Sequence, residues 1–203
     1  MNVSDPGELT LRLATVADVD AVAALHADRI AEGFLVTLGP AFLRRRYLRI
    51  VKSAGAFVLV AHDPARPARI CGFIAVAENT GALYREFLLH DGVAAAVSAT
   101  RGIVRAPRSV WETLRYGLRG GEHATGAEVL ATAVSAGAGG KGIGTRLVRA
   151  AVQELEARRV VSARVVTAVG NLAAVRAYER GGFRAEGRDV VHRGVAQQLL
   201  VWP

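Results

Sequence analysis

The twenty residues from 128 to 147 constrain this chain more than any other stretch. Residues 128–134 read as a strand, residues 137–144 are rich in glycine, and a helical pattern opens at about Lys141. Glycine tolerates tight turns, and without a Cβ its N–H can approach a ligand closely. A helix start adds unpaired N–H groups and the positive end of a dipole. Strand, glycine turn and helix N-terminus in that order make an α/β unit that holds a phosphate-bearing ligand.

Spacing tests which ligand this is. A P-loop needs a leading glycine five residues before its Gly-Lys pair and Ser or Thr directly after the lysine. Here Ser135 stands at the leading position and Gly142 follows Lys141, so the P-loop fails. A dinucleotide fingerprint is formally present as Gly137, Gly139 and Gly142. It also requires an acid near the end of the next strand for the ribose hydroxyls. That strand, expected at 160–169, ends Thr167-Ala168-Val169-Gly170-Asn171 and carries none.

A third motif fits. Gly139-Gly140-Lys141-Gly142-Ile143-Gly144-Thr145 has the spacing of an acyl-CoA pyrophosphate loop, with Gly139 where Gln or Arg is usual. Further on, Asn171, Ala174 and Tyr178, then Gly182-Phe183, repeat a second CoA-binding pattern. On these two motifs the chain resembles the GNAT acetyltransferase superfamily, over about residues 9–201 and most firmly over 127–187. The resemblance implies a GNAT fold, a mixed and mostly antiparallel sheet flanked by helices. It implies N-acetyl transfer from acetyl-CoA as acyl donor to an amine acceptor, with no metal and no covalent enzyme intermediate.

The composition is compatible. At 203 residues and 51% apolar content the chain can bury one substantial core, and we expect a single domain over 1–203. No apolar run reaches the 18 or so residues of a membrane span, and the polar first residues do not resemble an export signal. The single Cys71, expected to be a buried inert thiol, suits a cytoplasmic protein. The net charge of +8 is almost all arginine, and scattered arginines with 6% aromatics do not make a nucleic-acid surface. Arg44, Arg45 and Arg46 cluster on a helix whose Phe42, Leu43, Tyr47, Ile50 and Val51 form an apolar stripe, so a solvated basic face is expected.

The remaining elements follow from periodicity: a strand at 9–15, a helix at 16–29 capped by Thr15, a turn near Gly33 and Gly39, and strands at 56–62 and 69–78. After the glycine turn come a helix at 141–158, a strand at 160–168, a helix at 171–180 and a hairpin at 182–191 and 195–201. Residues 81–127 exceed the short turn that joins the third and fourth strands in the minimal family plan. Their apolar spacing predicts two or three helices, a helical insertion that frames the acceptor or serves packing or a homodimer, with a loop at 117–126.

The resemblance also assigns chemistry. The Val134 N–H, with Ala133 beside it, faces the thioester oxygen, and N–H groups of Gly139, Gly140, Lys141, Gly142, Ile143, Gly144 and Thr145 take the pyrophosphate. Tyr178 is the candidate general acid, its phenol being protonated near neutral pH. Asn171, two helical turns earlier, is a cofactor contact, a helix cap or both. Glu128 falls where the histone-acetyltransferase branch carries its catalytic glutamate. By period-two alternation it would share a face with Val134, as a base or as an exposed strand-end acid. Glu32, Glu78 and His90 are weaker base candidates. A small-molecule amine is the expected acceptor; alternatives are a protein N-terminal or lysine amine, or a non-catalytic acyl-CoA-binding sensor.

Overall fold

The computed structural model describes residues 9–30, 34–98, 126–190 and 196–203. Seven strands form one sheet: β1 Thr10–Leu13, β2 Ala56–Asp63, β3 Arg66–Ala77, β4 Ala127–Val134, β5 Ala163–Ala168, β6 Arg184–Val190 and β7 Ala196–Trp202. Their order is β1-β2-β3-β4-β5-β7-β6, and every pairing is antiparallel except β4 with β5. This is the expected mixed sheet, with the last hairpin turned so that β7 and not β6 lies beside β5.

Helices cover both faces. Helices α1 (Val19–Arg29), α2 (Phe34–Thr37), α3 (Pro40–Lys52) and α4 (Thr80–Ser98) lie on one side, and α5 (Ile143–Ala157) and α6 (Leu172–Arg180) on the other. Strand β2 shows why this works. Phe57, Leu59 and Ala61 pack towards α5 and α6, while Val58 and Val60 pack towards α1 and α3, so a strand buried on both faces reads as one continuous apolar run. Gly72 sits where α5 crosses β3. A Cβ there would lie 3.1 Å from Leu147 and 3.3 Å from Ile143, so a side chain at this position would have to push the helix back by a few tenths of an ångström.

Several boundaries moved for identifiable reasons. Helix α5 starts at Ile143 and not Lys141, because Gly140 and Gly142 adopt left-handed backbone (φ +76° and +71°) and the helix begins only after them. Strand β5 starts at residue 163 and not 160. The chain leaves α5 through a Schellman closure, with Val160 N–H bonded to Leu155 O and Arg159 N–H to Glu156 O, and Arg159 itself at φ +61°. Those residues finish a helix and cannot begin a strand. The first strand is likewise shorter than expected, ending at Leu13, and a short 3-10 turn (Val16–Asp18) precedes α1.

The basic helix is not simply a solvated face. Arg44 is exposed and pairs with Asp20, but Arg49 meets Asp91 at 2.7 Å with both side chains largely buried, and the Arg46 guanidinium lies 5.6 Å from the Tyr47 ring centre. Beneath it, His26 and Tyr47 are buried against Phe73, with His26 Nδ1 2.7 Å from Tyr47 Oη. Burial pushes the His26 pKa down to about 4, helped by the Arg46 charge, and pushes the Tyr47 phenol up to about 12. Cys71 is free and buried, as expected. In the long connection after β3, α4 supplies one helix; the expected further helices and the loop at 117–125 lie outside the described residues.

Candidate active site

Strand β4 organises the site, and it does so by breaking its own alternation. Val129 pairs with Val76 and Ala131 with Ala75, so Leu130 has no opposite number on β3 and forms a bulge. One extra residue shifts the side-chain parity of the strand. Ala127 and Val129 pack on the α5/α6 side, whereas beyond the bulge Ala131 and Ala133 belong to the α1/α3 side and Val134 returns to α5/α6. Glu128, lying between Ala127 and Val129, therefore faces the α1/α3 side. The expectation that Glu128 and Val134 share a face is overturned, because period-two counting assumes no bulge between them.

The neighbouring strand leaves at the same place. Strands β4 and β5 pair only at Ala127–Ala163 and Glu128–Arg164. Beyond Glu128 no strand pairs with the edge of β4 on that side, so the sheet opens between the two strands. The Ser135 N–H is bonded to Cys71 O on β3 at 2.8 Å. Since successive N–H groups of a strand point to opposite edges, the Val134 N–H points into the opening. Ala133, next to it, is buried with its side chain on the α1/α3 face.

At the top of β4 the chain turns through residues 136–138 into the glycine loop. Gly139, Gly140, Lys141 and Gly142 are exposed, while Ile143 is buried and anchors α5. Among the described residues, no backbone acceptor engages the N–H groups of residues 140–145. This row of donors at a helix N-terminus suits a pyrophosphate. A Cβ on Gly139 would meet only Ala136 O, at 3.4 Å, so packing does not force glycine where Gln or Arg is usual. Gly144 lies under α6, where its Cβ would contact that of Ala177 at 3.5 Å, and this brings the second motif beside the loop.

Helix α6 carries that motif. Asn171 caps it, its Oδ1 accepting from the Ala174 N–H at 3.2 Å, and the residue itself stays exposed. Tyr178 is 4% exposed and packs edge-on against Phe183. Its hydroxyl donates to Thr132 Oγ1 at 3.0 Å. Burial raises the phenol pKa above its ordinary value, and the hydrogen bond to Thr132 opposes that shift only in part. Tyr178 is thus a protonated donor at neutral pH, held against the open stretch of β4 from the α5/α6 side.

On the opposite face Glu128 is held by two partners. Its Oε2 accepts from Arg164 Nη2 at 2.8 Å, from Arg164 Nε at 3.3 Å and from the hydroxyl of Thr80, the first residue of α4, at 3.2 Å. The other base candidates sit elsewhere. Glu78 pairs with Arg158 at 2.9 Å, and His90 lies exposed along α4 with Nδ1 2.9 Å from Glu86 O; Glu32 lies outside the described residues. Sequence reasoning missed Thr132, Arg164 and Thr80. Thr132 carried a usable signal, being a hydroxyl two residues before Val134 in a strand otherwise apolar or charged only at its start. Arg164 and Thr80 become partners of Glu128 only through tertiary contact. Among the described residues no group of His, Cys, Asp and Glu is arranged to hold a metal ion, and no described helix is long and apolar enough to cross a membrane.

Comparison with known proteins gives the same assignment. The family model described as the Acetyltransferase (GNAT) family matches residues 37–183, well over half of the chain. No curated protein matches. Solved structures share the fold at low identity. A ribosomal-protein-alanine N-acetyltransferase from Brucella melitensis is 21% identical, with a TM-score of 0.61 over 95% of this chain and 98% of that one. AAC(6')-Ib in complex with ribostamycin and coenzyme A is 21% identical, with a TM-score of 0.59 over 96% and 93%. A spermidine N-acetyltransferase from Vibrio cholerae is 16% identical, with a TM-score of 0.59 over 96% and 92%. A strand that opens beside a glycine cradle, a capped helix bringing a tyrosine to that opening, and a family match across both place this chain in the GNAT acetyltransferase family.

Proposed function

We propose that this protein transfers an acetyl group from acetyl-CoA directly to the primary amine of a small-molecule acceptor. The observation that carries the reading is the opening beside β4, which has Tyr178 on one face, Glu128 on the other and the Val134 N–H pointing into it. The pyrophosphate fits the N–H groups of residues 140–145, and a pantetheine chain laid along the unpaired edge of β4 would bring its thioester to the opening.

There the amine lone pair forms the new C–N bond at the thioester carbonyl, and the Val134 N–H donates to the carbonyl oxygen as negative charge builds on it. The C–S bond breaks with its electron pair on sulfur, and the Tyr178 phenol supplies the proton that makes the free thiol. The ammonium proton goes to Glu128, directly or through one water, and the phenol is reprotonated from solvent. Neither step needs a metal or a covalent enzyme intermediate. A compact acceptor is favoured because α4 starts against Glu128 through Thr80 and packs Leu83 into the core on that face, restricting access there. The single buried Cys71 fits work in the reducing cytoplasm.

Release of free CoA against a panel of small amines and amine-bearing peptides tests this reading. Wild-type enzyme is expected to turn over a small amine. Tyr178→Phe and Glu128→Gln should each lower kcat by about a hundredfold, the usual scale of a positioned acid or base, with acetyl-CoA protection in thermal melting retained. Turnover on peptides alone would transfer the activity to protein amines. Tight acetyl-CoA binding with no turnover on any amine would make the chain an acyl-CoA sensor, to which Gly139 would then be relevant.

A further inference from the structure

The carboxylate of Glu128 is held along one edge only. All three of its hydrogen bonds, two from the Arg164 guanidinium and one from Thr80, converge on Oε2, and among the described residues Oε1 accepts none. Arg164 is not using the usual side-by-side fork, in which two parallel N–H groups take one oxygen each. Both of its bonds go to the same oxygen, at 2.8 and 3.3 Å, so the second oxygen is left unengaged.

The position of this pair is informative. Glu128–Arg164 is the last rung between β4 and β5 before the strands part, so the two side chains stand at the root of the opening and on one face. Their side chains are 28% and 36% exposed, and a pair that open to water adds little to stability. Stability is a weak reason for the arrangement. Orientation is a stronger one, because a glutamate at a strand end has three rotatable bonds, and a base out of position by about 1 Å can cost on the order of a hundredfold in rate.

We infer that Arg164 is a positioning residue: together with Thr80 it pins Glu128 through Oε2 at the root of the opening and so presents Oε1 to the incoming amine. This inference rests on Glu128 being the base of the proposed reaction.

The test is a double-mutant cycle on the full-length enzyme, using acetyl-CoA and whichever panel amine the wild type turns over. Arg164→Gln is expected to lower kcat about tenfold and to leave KM for acetyl-CoA within about twofold. Arg164→Lys, which keeps the charge without the two-pronged contact, should recover only part of kcat. Thr80→Val should give a smaller loss in the same direction. In a Glu128→Gln background, Arg164→Gln should cost nothing further. An equal loss in both backgrounds would overturn the inference, since Arg164 would then act independently of Glu128. So would full activity of Arg164→Gln beside an impaired Glu128→Gln. If Glu128→Gln were itself fully active, the base assignment would fall, and the positioning role with it.

Discussion

The two faces of the sheet differ in what they are made of. On the α5/α6 face the proposed site is mainly backbone: the N–H groups of residues 140–145, left-handed glycines at 140 and 142, and the Val134 N–H, with Tyr178 as the side chain proposed to act there. On the α1/α3/α4 face the chemistry is mainly side chain: Glu128, Arg164 and Thr80, drawn from three separate elements. A backbone site tolerates few alternative sequences, because its geometry demands glycine at fixed positions. A side-chain site can be assembled from many combinations. The first face therefore carries the motifs on which the family assignment rests.

Substitutions can sharpen or break that contrast. The largest expected effect is at the backbone site. Gly142→Val puts a β-branched residue at φ +71°, a cost of about 2–3 kcal/mol that local rearrangement of the loop would relieve. Acetyl-CoA affinity should fall by about thirtyfold or more by calorimetry, while the acetyl-accepting side of the reaction, read as KM for the amine, stays nearly constant. A matching rise in the amine KM would show that the two faces are not separable.

A somewhat smaller effect concerns the opposite face and its core. His26 has a folded-state pKa near 4 against an ordinary 6.5, so the neutral form is favoured in the folded protein. Its contribution is complete above pH 6.5. As the pH falls from 6.5 towards 4 the unfolded chain takes up the proton first, and stability is lost through that window. Between pH 7 and pH 5 this group alone should cost about 2 kcal/mol, measurable by urea unfolding at the two pH values. His26→Phe should flatten the slope even where it lowers stability at neutral pH. An unchanged slope would exclude His26 as its source. The smallest effect is expected from Thr132→Val, which leaves the buried Tyr178 hydroxyl without its acceptor. About 1 kcal/mol, seen as a several-fold fall in kcat with little change in acetyl-CoA affinity, is expected.

Legibility in the sequence followed the same division. The order of strands and helices, the loop from Gly139 to Thr145, and the pairing of Asn171 with Tyr178 on one helix could be read because they depend on spacing along the chain. The side of β4 on which Glu128 lies could not. Leu130 is unremarkable as a residue type, and a bulge is defined by what a partner strand does, here Val76 and Ala75 closing ranks past it. The late start of β5 had the same origin in Arg159, a residue that carries no left-handed signature and is held at φ +61° by the closure of α5. Nor did composition show that Arg46 and Arg49 turn towards Tyr47 and Asp91, since arginine on an amphipathic helix reads as solvated until a neighbouring helix is placed beside it.

The parting of β4 and β5 after a single rung beyond Ala127 has a kinetic consequence for the proposed reaction. In the proposed reaction the donor enters above the glycine loop and the acceptor beside α4, so neither must vacate its place before the other arrives. Initial rates measured against both substrates should then give intersecting rather than parallel reciprocal plots, because donor and acceptor meet in the doorway between two rooms rather than taking turns in one.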